Sequence, residues 1–277
     1  FAAANDWVTV QDLEIAGPYA WSATATDGAM TPYGIHLQGS SSNVLQGTNI
    51  QRVVVHNFMG SGIRSNYGEK LSDTRIEYCE VYQVGDAGIR MGNDGETQNG
   101  EFRNNLYVGH CYVHHTSGFD AGTGTHNGDG IQIACARNVT VEYCVVHNTA
   151  TAFKGNSGGP VGIWFADVHT GLMQFNEVYN SSCGLSSSDG GGIDIDGGCL
   201  DVIAQYNYTH DNDASGYLLA HWGTSCSPTE RNTFRYNLSI NDCKKLQAGF
   251  LIWSGGGTET CQSTRFHNNL IVQTRIA

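Results

Sequence analysis

The sequence predicts an all-β fold, a single right-handed parallel β-helix of eight to nine coils, and two recurring strand lines predict it. The first line is Ile76-Glu77-Tyr78-Cys79-Glu80-Val81-Tyr82. It returns as Val108-Gly109-His110-Cys111-Tyr112-Val113-His114 and as Val141-Glu142-Tyr143-Cys144-Val145-Val146-His147. With Asn in place of Cys it continues as Gln174-Phe175-Asn176-Glu177-Val178-Tyr179 and Gln205-Tyr206-Asn207-Tyr208-Thr209-His210. The Cys-or-Asn position falls at Cys79, Cys111, Cys144, Asn176, Asn207, Asn237 and Asn269, roughly thirty residues apart, which is a solenoid period. The second line is Gly followed by alternating apolar residues: Gly88-Ile89-Arg90-Met91, Gly130-Ile131-Gln132-Ile133, Gly162-Ile163-Trp164-Phe165, Gly192-Ile193-Asp194-Ile195 and their counterparts at Gly34, Gly62, Gly216 and Gly249. Alternation at period two marks strands with one buried face. No amphipathic helix separates the lines, which excludes a sheet covered by crossover helices.

One coil cannot bury its own Ile and Val. Stacking coils at about 4.8 Å pairs every backbone group with a neighbour and lines up like side chains inside. The Asn members of the first line are expected to form an internal hydrogen-bonded ladder at a turn. Cys79, Cys111 and Cys144 then read as small buried substitutes in that ladder rather than metal ligands, since no Cys/His spacing suits zinc.

Composition narrows the partners. The net charge is −12 and only 14% of residues are charged, so a basic face for nucleic acid or anionic membrane is absent. No apolar run is long enough for membrane insertion. Low charge with nine Cys points to an extracellular, secreted protein. Residues 1–277 read as one β-helix domain whose two ends look like cuts through a longer solenoid. Open strand edges there would permit end-to-end self-association. Cys226 with Cys261, and after them Cys183 with Cys199, are the pairs whose positions best suit a disulfide.

Function in a solenoid sits where coils carry insertions, because the core coil only stacks. The stretches Cys111 to Gly130, Cys144 to Gly162 and Asn176 to Gly192 are about twice as long as that from Cys79 to Gly88. Three adjacent coils therefore carry long loops on one side of the Gly strands, and the expectation is a walled groove. Outward positions on those strands read His36, Arg64, Arg90, Gln132, Trp164, Asp194, Leu218 and Leu251.

Asp194 and Asp196 form the sharpest pair. Two residues along one strand set their Cα atoms about 7 Å apart on one face. That suits the roughly 6.5–9.5 Å between the acid and base of an inverting glycosidase. Neighbouring carboxylates also push one pKa up, which favours a proton donor. Asp129 would support them from about 10 Å away by strand spacing. Trp164 is an outward, flat stacking surface for a sugar, and Gln132 and Arg90 would orient it. Arg64 and Arg90 would hold a carboxylate or sulfate, or else pair with protein acids. His126 and His221 are further substrate-binding candidates. Asp194, Asp196 and Asp189 would instead be a calcium set if the acids hold a hard cation. A solvated acidic strand between Gly turns is the plain alternative for all three.

The whole chain resembles the right-handed β-helix superfamily of pectate lyases, polygalacturonases and related carbohydrate-active proteins, on the Tyr-Asn-x-x-x-His and Gly-Ile-x-Ile lines. It lacks the polygalacturonase motif set, and His126-Asn127-Gly128-Asp129-Gly130 matches one segment of it only loosely. The resemblance implies a polysaccharide or oligosaccharide partner and transfers no catalytic residue. It leaves three readings open: a glycoside hydrolase needing no cofactor, a calcium-dependent lyase or epimerase, and a non-catalytic structural or adhesive solenoid.

Overall fold

The computed structural model describes residues 7–18, 32–40, 42–92, 103–119, 126–154, 159–184, 189–221, 228–245, 248–255 and 260–274. Every strand pairing among them is parallel, and none of the described residues is helical. The chain is a right-handed parallel β-solenoid, as the two strand lines require.

Inward columns build the core, and three of them show the register. The Gly line stacks Ile63, Ile89, Ile131, Ile163 and Ile193 in register, all fully buried. The line after the Cys/Asn turn stacks Val55, Val81, Val113, Val146 and Val178, equally buried. Ile50, Ile76, Val108, Val141 and Met173 form the third. Each such side chain contributes about 1.5–3 kcal/mol of burial, so the repeat multiplies a modest term coil by coil.

The glycines of the second line are explained by space. A Cβ at Gly62, Gly88, Gly130 or Gly162 would collide with the γ-methyl of Val81, Val113, Val146 or Val178 on the facing sheet. Glycine lets the two sheets approach there.

The turn before the Cys/Asn position has its own device. Tyr78, His110, Tyr143, Phe175, Tyr206 and Tyr236 all adopt left-handed φ of 53–54°. For a bulky L-residue that costs about 1–2 kcal/mol. Their rings stack 4.7–5.3 Å apart and within 10° of parallel, which offsets the cost and repeats at every coil.

The expected Asn ladder lies just inside that turn. Asn176 Nδ2 donates to Val141 O at 3.0 Å and to Asn207 Oδ1 at 3.0 Å. Asn207 and Asn237 repeat the pattern, ending on Asn269 Oδ1. Each Asn Oδ1 also accepts the backbone N–H of the preceding coil. Cys79, Cys111 and Cys144, at most 2% exposed, fill the same line and point their thiols at Ile50 O, Ile76 O and Val108 O.

The Cys183–Cys199 disulfide is not formed. Both thiols are free and buried, and Cys199 sits in the hydrophobic core with its Sγ 3.4 Å from Phe165 O. Cys226 lies outside the described residues, and Cys261 carries a free thiol near Trp253 O.

Candidate functional site

The outward column of the Gly strands is assembled in the order read from the sequence. His36, Arg64, Arg90, Gln132, Trp164, Asp194, Leu218 and Leu251 are successive cross-strand partners. What differs is its exposure. Gln132 is 0%, Trp164 1% and Asp194 3% exposed, so the row is a covered layer rather than an open groove floor.

The cover comes from the insertions. Phe119 and Phe153, from two adjacent insertions, are 0% and 2% exposed. The starts of the loops stack on one another as the coils do, through Ala150 N–H to Thr116 O and Ser182 N–H to Thr149 O. Val161 packs with Trp164, Ala134 and Ala166 in a small apolar cluster outside the main core. Among the described residues, Val161 at the end of one insertion therefore packs directly on the outward row. Trp164 accordingly offers no exposed face for a sugar. Its indole lies 5.3 Å from the His126 ring and donates from Nε1 to Asp129 Oδ1 at 2.9 Å.

Three groups divide the row. At one end Asp86, fully buried, lies between Arg90 Nη1 at 2.8 Å and Arg64 Nη1 at 3.5 Å, and accepts Ser61 Oγ at 2.6 Å. The Arg64 guanidinium stacks 4.3 Å over the Tyr33 ring. Burial pulls the Arg64 pKa down, and Asp86 opposes it. Of the two roles open to these arginines, pairing with a protein acid is the one observed. Asp86 was not among the sequence candidates, although it stands four residues before Arg90 and opens the same strand line.

In the middle, Asp129 is 0% exposed and accepts both Trp164 Nε1–H and Val161 N–H at Oδ1, each at 2.9 Å. Its Oδ2 has no partner. Burial pushes its pKa up to about 6, with His126, the Val161 N–H and Arg90 pulling the other way. Gln132 has no hydrogen-bond partner on either amide atom, and His126 Nδ1 also lacks one. Asp129 lies two coils from Asp194 and three residues back along the strand direction. The pair is therefore about 14 Å apart at Cα, further than coil spacing alone gave. Trp164 spans the interval.

At the acid end, Asp194 Oδ1 has no partner. Burial drives its pKa well above the usual carboxylate range, and Asp196 and Asp189 add to the shift. Burial also raises Asp189, against the pull of His126. Asp196 is half-buried and accepts Gly197 N–H at 2.6 Å. A cavity of about 10 Å³, bordered by Asp189, Val161, Ser215 and Leu218, lies beside the row. It has room for about one water. The structure thus gathers Asp189, Asp194 and Asp196 at one end and Asp129, Trp164 and His126 in the middle. His221 follows Ala220 one coil beyond the acids and bonds Thr229 Oγ1 at 3.0 Å. Among the described residues no three His, Cys, Asp or Glu side chains form a group that could hold a metal ion.

The family model for a right handed beta helix region matches residues 33–157. No curated protein matches the sequence. Among solved structures, the GH136 lacto-N-biosidase from Eubacterium ramulus is similar with a TM-score of 0.63 at 18% identity, over 95% of this chain and 49% of that one. Pectate lyase Pel9A is similar with a TM-score of 0.56 at 11% identity, over 94% of this chain and 60% of that one. The present chain therefore spans about half the length of the first and 60% of the second. At these identities the likeness is one of fold, that of a right-handed parallel β-helix.

Proposed function

We propose that this chain is a secreted enzyme acting on a polysaccharide or oligosaccharide, and that it cleaves glycosidic bonds by hydrolysis. One observation carries the reading: Asp194 is a buried carboxyl with an unpartnered oxygen on the strand Ile193–Ile195, and the more exposed Asp196 follows directly at that strand's end. Two carboxyls in such unequal surroundings divide into acid and base. The fold shared with a lacto-N-biosidase and a pectate lyase supports a saccharide substrate.

In this mechanism Asp194, protonated, donates to the glycosidic oxygen as the bond to the anomeric carbon breaks. Asp196, half-buried and accepting the Gly197 N–H, takes a proton from the attacking water. Their Cα separation of about 7 Å allows the carboxyl spacing that leaves room for that water, and the reading expects inversion at the anomeric carbon. Asp129 supports them from a distance, by anchoring the Trp164 indole that lies between it and Asp194. With Gln132, Trp164 and Asp194 only 0–3% exposed, a substrate reaches them only when the residues packed over them move aside.

The test is turnover of a saccharide panel by the protein, Asp194→Asn and Asp196→Asn. The reading expects new reducing ends from the unaltered protein and loss of turnover in both variants. Full activity in both variants would sink the acid and base assignment. An unsaturated, ultraviolet-absorbing product that disappears with chelator would replace hydrolysis by lyase chemistry.

A further inference from the structure

We propose that the saccharide unit recognised over the Gln132–Trp164–Asp194 row is uncharged and hydroxyl-rich, not a uronate or sulfated sugar, and that Gln132 selects it. The inference rests on the preceding reading of this row as a saccharide-cleaving site. Its first support is where the cations go. Arg64 and Arg90, the two column residues suited to an anionic sugar, both face Asp86. Arg64 is further held over Tyr33.

The second support is the charge of the remaining column. From Gln132 to Leu218 the outward column carries no Lys or Arg, and Asp129, Asp189 and Asp196 flank it. An anionic sugar there would find no Lys or Arg to pair with in a water-poor setting, where an unpaired charge is costly.

The third support is Gln132 itself. It is 0% exposed, and neither its amide N–H₂ nor its carbonyl has a partner. Buried amides are almost always bonded, so an orphan on both atoms marks bonds kept for something else. An amide offers donors and an acceptor without charge, the pattern that matches a pair of sugar hydroxyls. A site built on bonds to substrate hydroxyls discriminates strongly, because the wrong ligand leaves its buried groups unpaired.

The experiment compares turnover of neutral oligosaccharides with turnover of uronate oligosaccharides of matched length, using the unaltered protein, Gln132→Glu and Asp194→Asn. The expected result is at least a hundredfold preference for a neutral substrate, lost in Asp194→Asn. Gln132→Glu is expected to raise KM for that substrate about tenfold or more with a smaller change in kcat. Preferential turnover of a uronate substrate overturns this inference and leaves the catalytic reading standing. Turnover of neither class overturns the catalytic reading and this inference with it. The preference is read on the unaltered protein, so the test does not depend on Gln132→Glu folding.

Discussion

Two buried polar rows cross the coils of this solenoid, one at the Cys/Asn turn and one on the outward side of the Gly strands. Asn176, Asn207 and Asn237 are 2–3% exposed, and Gln132, Trp164 and Asp194 are 0–3% exposed. Burial is the same, but bonding is not. Every amide of the Asn row is bonded on both atoms, whereas Gln132 and Asp194 keep atoms with no partner. The reason is repetition. Identical residues stacked in register present each donor to the next coil's acceptor, so the row closes on itself. A row of different residues has no such closure. One row holds the fold, and the other leaves bonds open, as groups poised for chemistry do.

Breaking the open row should cost activity and spare stability. Asp194→Asn is expected to lower kcat by about 10²–10⁴-fold, the usual worth of a general acid. Its melting temperature should not fall, because a buried carboxyl already held protonated loses little when replaced by the amide. A variant that melts early with turnover in proportion to its folded fraction would make Asp194 structural.

Breaking the closed row should do the reverse. Asn207→Ala removes the donor to Met173 O and Asn237 Oδ1 and the acceptor for Asn176 N–H. Stranding those buried groups is expected to cost about 3 kcal/mol, read as a shift in denaturant midpoint. A loss under about 1 kcal/mol would mean that water replaces the ladder.

The closed row was legible in the sequence and the open row only in part, for a physical reason. Period-two alternation and a recurring Asn specify register, so the outward column from His36 to Leu251 could be written down residue by residue. Loop length told which coils carry insertions but not which way they fold. That depends on Phe119 and Phe153, apolar residues inside otherwise polar insertions, which needed somewhere to pack. They were the available signal that the insertions would pack against the protein rather than stand open. Asp86 went unread because its partners Arg64 and Arg90 lie on two different coils.

Asp129 sharpens the comparison through pH. Its folded pKa is raised, so the folded state holds its proton more tightly than the unfolded chain does. Stability from this group is therefore greatest below the unfolded pKa near 4, falls as pH rises to about 6, and is level above. The expected penalty by pH 7 is about 3 kcal/mol. Asp129→Asn keeps an oxygen for Trp164 Nε1–H and Val161 N–H while removing the charge. The difference in unfolding free energy between variant and parent should thus grow in the variant's favour from pH 4 to pH 7. A flat difference would show that the ionised carboxylate is solvated.

The smallest effect tests closure itself, inside the Cys half of the turn row. Cys144 sits directly above Asn176, and its N–H already donates to Asn176 Oδ1. An amide introduced by Cys144→Asn would find Val108 O, Asn176 Oδ1 and the Cys111 N–H, the full set that Asn207 uses one coil at a time. Cys111→Asn would have Ile76 O and the Cys79 N–H, but only a weakly accepting thiol at Cys144 for its second N–H. Cys144→Asn is expected to lie within about 1 kcal/mol of the parent, and Cys111→Asn to be about 1 kcal/mol less stable than Cys144→Asn. Making both changes together should recover that difference, because Cys144→Asn supplies the missing acceptor and the two sites couple as direct neighbours. Equal cost at both positions, with no coupling in the double variant, would mean that side-chain volume and not ladder closure decides what the turn accepts.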